Sequence, residues 1–215
     1  MVARMPHSAR PHKARTGRPR SAETDRAILD ATRAALVDLG WGKLSMGDVA
    51  ARAKVAKTTL YRRWANKNEL VVDAVAVLFD ELELPDSGCL QADIKDVTLQ
   101  FGALLERPET KTALMAVVAE STTDAALRER IRTAIVDRQM RLVILGRERA
   151  QARGELPPDA PGPEGARAAA DTVGLIFDVI AGAIVHRTLV SAEPVDDAWA
   201  HRLATVLLLG LTALG

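Results

Sequence analysis

Residues 45–64, SMGDVAARAKVAKTTLYRRW, constrain the chain more tightly than any other stretch. Their apolar residues fall at helical spacing in two short blocks separated by a turn. Val49, Ala50 and Ala53 form the inward face of the first block. Val55 sits in the turn, and Leu60 and Trp64, four apart, form the inward face of the second. Thr58, Thr59, Tyr61 and Arg62 are then left facing outward. Hydroxyls beside a guanidinium on an exposed helix suit the base edges of a DNA major groove. A short helix and turn ahead of it is one way such a reading helix is held.

Charge is divided along the chain in a way that agrees with this. Residues 1–70 carry 15 Lys/Arg against 6 Asp/Glu, a net +9, and residues 71–215 carry 14 against 22, a net −8. One end is suited to a polyanion and the other is not. Aromatic residues make up only 3% of the 215. The core must therefore come from Ala, Leu, Val and Ile, a composition that favours packed helices over a sheet sandwich. The single Cys89 cannot form an intramolecular disulfide, which fits a reducing cytoplasm. No uninterrupted apolar run reaches the ~18 residues of a membrane span. The basic N-terminus is followed by no apolar segment of the kind a signal peptide needs.

Residues 1–20 hold six Arg/Lys, two His and no acid, with Pro6, Pro11 and Pro19 set against a helix. They read as a flexible basic arm whose extended segment, residues 16–20, can lay Arg18 and Arg20 into a minor groove. The first helix is expected over 21–39, capped by Ser21, with Ile28, Thr32, Ala35, Leu36 and Leu39 as its stripe and Gly40 as its stop. Ser45 with Asp48 forms a capping-box pattern for the second helix, and Asn66 with Glu69 repeats the device for the fourth. Leu70, Ala74, Val77 and Leu78 are the fourth helix's stripe, which runs to about Leu84 before residues 85–88 break the chain.

These residues carry a resemblance. Ile28-Leu29, Ala31, Leu39-Gly40, Leu44-Ser45, Val49-Ala50, Val55, Thr59-Leu60-Tyr61, Trp64, Lys67 and Leu70 resemble, without a gap, the DNA-binding domain of the TetR family of bacterial transcriptional regulators. Two positions depart from the family pattern. Lys54 stands where the family has a turn glycine, and Ala56 stands where a serine commonly caps the reading helix. The resemblance implies an all-α fold of about nine helices. An N-terminal three-helix helix-turn-helix DNA-binding domain (21–84, motif 45–64) precedes a C-terminal helical bundle for effector binding and dimerisation (89–215).

Beyond residue 88 the pattern stays helical, with helices over about 91–107, from Pro108, and a long one over 123–153. A loop of four prolines and three glycines occupies 154–165, and two final helices run over 166–191 and 195–214. Arg153-Gly154-Glu155-Leu156, then Asp171, Gly182 and Arg187, resemble the ligand-binding domain of many family members. That likeness implies an effector pocket between the fifth and eighth helices. Phe101, Leu105, Met115, Val118, Met140, Ile144, Phe177 and Ile180 are the apolar residues there. Most are expected to be core, with no more than a third lining a cavity.

For DNA, Thr58, Thr59 and Arg62 are expected at base edges, and Lys57, Tyr61, Lys67 and Ser45 at phosphates. No nucleophile–base pair, phosphate loop or paired-cysteine motif is present in the sequence, so no catalytic residue, metal site or cofactor is assigned. His186 and His201 are too few for metal or acid–base work. The final two helices are apolar on more than one face, which suggests a four-helix dimer interface with Leu207 and Leu211 near its centre. The reading is a homodimeric, effector-released repressor of a pseudo-palindromic operator. The competing class is a helical enzyme or ligand carrier with a vestigial helix-turn-helix.

Overall fold

The computed structural model describes residues 19–214, and all of their regular structure is helical. Nine helices follow in order: α1 Pro19–Lys43, α2 Met46–Arg52, α3 Lys57–Tyr61, α4 Lys67–Phe79, α5 Leu90–Glu106, α6 Pro108–Ser121, α7, α8 and α9. The seventh comprises Ala125–Ile131, a π-helical turn over Arg132–Val136, and Asp137–Ala152. The eighth comprises Gly162–Val185 and a π-helical end over His186–Val190, and the ninth is Asp197–Leu214.

Several boundaries differ from the sequence reading for physical reasons. Helix α1 opens at Pro19, because proline is tolerated in a first turn where its missing N–H would have no partner. Arg20 therefore lies on a helix and not on an extended arm, while Arg18 lies outside the described residues. Gly40 does break α1, at φ 70°, but residues 41–43 add one further turn. Helix α4 ends at Phe79, five residues before Leu84. The cause lies elsewhere in the chain. The Gln100 side chain accepts from the Glu83 N–H at 3.1 Å and donates to the Glu83 carbonyl at 3.0 Å, so Glu83 has its partners outside a helix. At α8 the expected loop yields four residues to the helix. Gly165 is needed there, since a Cβ would lie 1.8 Å from the Ala160 carbonyl oxygen.

Helix α4 is the spine of the molecule. Leu70, Val71, Val72, Ala74, Val75, Ala76, Leu78 and Phe79 are all buried, and Val77, expected in its inward stripe, is the partly exposed exception. It packs between α1, α6 and α7, so one hydrophobic core runs without interruption from Ile28 to Ile184. A smaller cluster of Leu90, Ile94, Ala150, Leu156, Ala204 and Leu207 joins the far ends of α5, α7 and α9. The Arg153–Leu156 segment has a local structural role. Gly154, at φ 75°, turns the chain, and Glu155 N–H closes back on the Ala150 carbonyl at 2.9 Å. Glu155 then accepts from Leu90 N–H at 2.6 Å, clamping α7 to the start of α5.

Helix α8 also revises the expectation about apolar runs. Over Gly162–Val190 it is long and apolar enough, by length and composition, to cross a membrane. Asp171 and Asp178 interrupt the run along this helix, and counting unbroken apolar residues hid it.

Candidate nucleic-acid interface and effector cavity

The helix-turn-helix is held by its own local chemistry. Ser45 Oγ accepts from Asp48 N–H at 3.2 Å, and Asp48 accepts from Ser45 N–H at 3.0 Å, which completes the capping box. The Ser45 hydroxyl also donates to Asp48 at 2.5 Å. That bond, above all, holds the Asp48 carboxyl below its usual range, against a smaller opposing effect of desolvation. At the other end of α2, Lys54 takes a left-handed backbone conformation, φ 54°, and Val55 N–H bonds the Ala50 carbonyl at 3.0 Å. This is the helix ending that glycine makes most easily, so Lys54 carries local strain. Ala56 begins α3 with no side-chain cap.

Leu60 and Trp64 anchor α3 in the core, and Trp64 Nε1 donates to Asp73 of α4 at 2.9 Å. With those two side chains inward, Lys57, Thr58, Tyr61 and Arg62 are exposed on one surface, and Thr59 is half-buried beside them. Tyr61 is 54% exposed although it is a large ring. Lys57 folds over Gly47, where its Nζ would lie 3.0 Å from an added Cβ. Gly47 thus leaves room for a cation next to the Ser45 cap.

Two expected phosphate-contacting residues already have other partners. Lys67 Nζ donates to the Trp41 carbonyl at 3.0 Å and sits 4.5 Å from the centre of the Trp41 ring. The hydroxyl of Ser45 is engaged within the capping box. Lys57, Thr58 and Tyr61 of α3, with Arg62 just past its end, form the outward surface. Sequence reading missed Trp41, the platform that positions Lys67. Its only signal was an aromatic residue just past the Gly40 break.

The other candidate site lies at the far end of α4. An apolar cavity of about 90 Å³ is bounded by α5, α7 and α8, with Phe79, Leu82 and Leu84 at one side and Leu211 of α9 at another. Its wall is apolar apart from Asp93, Gln139 and Arg147. Asp93 is fully buried and accepts from Ser87 N–H at 2.7 Å and Arg153 Nη2 at 2.9 Å. Hydrogen bonds to Glu155 first and Asp93 second raise the Arg153 guanidinium further above its usual value. Of the eight apolar residues considered beforehand, Phe101, Phe177 and Ile180 line the cavity, slightly more than a third. Met115, Val118 and Ile144 are on the surface, not in the core.

Helices α8 and α9 do present a second apolar face, but not through the residues expected. Leu207 is only 8% exposed and belongs to the subunit's own core, and Leu211 faces the cavity. The outward residues are Leu175, Val179, Val206 and Leu209, of which Leu175 is 53% and Val206 and Leu209 are each 65% exposed. Asp171, Gly182 and Gly210 are also exposed on these helices, and nothing lies within 4 Å of either glycine's absent Cβ. Arg187 is structural. It donates to the Pro194 carbonyl at 2.6 Å, pairs with Glu193 at 2.7 Å and stacks 4.9 Å from the Trp199 ring, joining α8 to α9.

Comparison with known proteins agrees with this arrangement at both ends. Residues 28–74 match the family model described as bacterial regulatory proteins, tetR family. Residues 84–207 match the model described as tetracyclin repressor-like, C-terminal domain. The chain is 31% identical to the DNA-binding transcriptional repressor TetR of Mycobacteroides abscessus, over 88% of this chain and 94% of that one. It is 28% identical to the uncharacterized HTH-type transcriptional regulator YdeS of Bacillus subtilis, over 94% and 96%. The crystal structure of the TetR family transcription regulator SCO0332 superposes with a TM-score of 0.68 at 30% identity, covering 87% of this chain and 98% of that one. The chain belongs to the TetR family of bacterial helix-turn-helix transcriptional regulators.

Proposed function

We propose that the protein is a cytoplasmic, homodimeric repressor that binds a pseudo-palindromic operator and leaves it when a small molecule enters the C-terminal cavity. Residues 21–84 form the DNA-binding unit behind a basic arm over 1–20, and residues 89–215 form the effector and dimerisation unit. Thr58, Thr59 and Arg62 read base edges. Lys57, Tyr61, Lys67 and Ser45 meet phosphates, and Arg18 of the basic arm reaches the adjacent minor groove. The protein acts by binding and carries out no reaction.

The observation that carries this reading is the position of α4. Its first turn follows Trp64, and its residue Asp73 holds the Trp64 indole; its last residue, Phe79, is part of the cavity wall. Asp73 also accepts from Arg130 of α7 at 2.6 Å, and Asn68 donates to Asp124 at the start of α7 at 3.3 Å. A ligand that changes how α7 lies against α4 therefore acts on the element that supports the reading helix. The apolar face of α8 and α9 supports the dimer, because a two-fold partner would cover it and set two copies of α3 at a fixed spacing.

Footprinting of the full-length protein on the DNA flanking its own gene tests the proposal. Protection of a site with two inverted halves is expected, and the absence of protection on any inverted repeat there would overturn it.

A further inference from the structure

The cavity beside the end of α4 offers a ligand almost nothing but hydrocarbon. Three polar side chains belong to its wall, Asp93, Gln139 and Arg147, and each is engaged by the protein. Asp93 is fully buried and accepts from Ser87 N–H and from Arg153. Gln139 donates to the Phe79 carbonyl at 2.9 Å, and the Arg147 guanidinium pairs with Asp159 at 2.7 Å. The two wall atoms left without a partner, Gln139 Oε1 and Arg147 Nε, are themselves buried, so neither is a handle for a ligand. The surface within reach comes from residues such as Phe101, Leu142, Ile176, Phe177 and Ile180. A charged or strongly hydrated group placed there would lose its water and gain no partner.

Size narrows the choice further. The space is about 90 Å³, well below the ~150 Å³ of an apolar cavity that closes round a benzene ring. A ring would have to push the wall apart, and packed interiors resist that. A chain one carbon wide would not. The cavity is not sealed, so a chain need not end inside it. Arg147 and Leu211 also line a more polar neighbouring cleft that includes Asp159 and Thr172, which gives a ligand's polar end a hydrated place to remain.

We propose that the cavity encloses an unbranched alkyl chain, bound by its shape and by the removal of apolar surface from water, while the polar end of the ligand stays at the Arg147 side. This deepens, and rests on, the reading of residues 89–215 as an effector unit. Phe79 ends α4 and Ile135 lies in the π-helical turn of α7, and both belong to the wall that the chain fills. The chain is therefore sensed where the spine meets α7.

Titration of the full-length protein, labelled at its isoleucine methyls, with small alcohols followed by NMR tests it. Shifts are expected first at Ile94, Ile135, Ile176 and Ile180. From 1-butanol to 1-hexanol each methylene should tighten binding about four-fold, the value of one buried CH₂. Cyclohexylmethanol, a ring of similar hydrophobicity, should bind about ten-fold more weakly than 1-hexanol because it overpacks the space. The same loss, about ten-fold, is expected for 1,6-hexanediol, whose second hydroxyl finds no partner inside. Ala181→Leu, which places a larger side chain in the wall, should weaken 1-hexanol binding about ten-fold. If that variant does not fold by circular dichroism, the wild-type series decides the matter by itself. Equal or tighter binding of the ring or the diol, affinity that does not grow with chain length, shifts confined to other isoleucines, or no binding at all would overturn the proposal. Binding of 1-hexanol in the cavity that leaves operator affinity unchanged would instead overturn the effector role while the chain selectivity stood.

Discussion

The two ends of α4 serve residues of opposite kinds. At the DNA-facing end, the side chains that hold α3 in place, Leu60 and Trp64, are distinct from those it presents, Thr58, Tyr61 and Arg62. At the cavity end, the residues that line the space are themselves core. Phe79, Ile94, Ile135 and Ile176 are all buried, and Phe79 makes an edge contact with Phe101, ring centres 5.6 Å apart. If α3 reads DNA and the cavity takes the effector, as proposed, sequence specificity can change with little effect on the fold, whereas ligand specificity cannot change without altering stability. The outer face of α8 and α9 follows the first pattern, since Val206 and Leu209 play little part in the subunit's own core.

Substitutions can break or sharpen this contrast. The largest effect is expected at the outer face. Val206→Glu with Leu209→Glu should separate the proposed dimer and abolish tight operator binding while leaving helix content unchanged, as read by sedimentation equilibrium and circular dichroism. Next is the cavity end, where Phe79→Ala should cost about 3–5 kcal/mol in urea unfolding, because a buried ring is lost from a shared core. The same unfolding measurement on Arg62→Ala should show a change within about 0.5 kcal/mol. Equal destabilisation by the two would erase the contrast. Two substitutions that restore the family's residues in the turn should each stabilise by about 1 kcal/mol without touching the outward surface. Lys54→Gly relieves the left-handed backbone, and Ala56→Ser supplies the missing cap.

The smallest effect concerns acid. The hydrogen bond and charge of Lys95 hold the Asp197 carboxyl below its usual range, tying α5 to α9 at 2.9 Å. A carboxyl depressed in the folded state stabilises above its unfolded value and loses that contribution as pH falls through the folded value. Asp197→Asn should therefore lower the melting temperature slightly near neutral pH and bring it level with wild type in strong acid.

The N-terminal elements were legible because their determinants are local. Ser45 with Asp48, and the spacing of Val49, Leu60 and Trp64, act within a few residues and are placed as read. At α4, by contrast, Asn66 caps the Glu69 N–H but the Glu69 carboxylate accepts from Ala65 N–H at 3.0 Å, so the box does not close on Asn66. What escaped the sequence depends on distant partners. The end of α4 is set by Gln100, some 20 residues beyond it, and Lys67 is drawn to Trp41. Leucines 207, 208 and 209 are identical in a list of residues, and only packing against α5 turns the first inward and the third outward. The cavity was expected from the resemblance alone, and its polar wall residues depend on partners far along the chain, Gln139 on the Phe79 carbonyl and Asp93 on Arg153.

The central claim is that the exposed surface of α3 reads DNA in a two-fold assembly, and fluorescence anisotropy on the footprinted site tests it most directly. Wild type should bind the full palindrome far more tightly than a single half-site. Arg62→Ala should lose about 1–3 kcal/mol on that site together with its preference over scrambled DNA. Equal affinity for half-site and palindrome, or an Arg62→Ala variant with affinity and preference intact, would contradict the account.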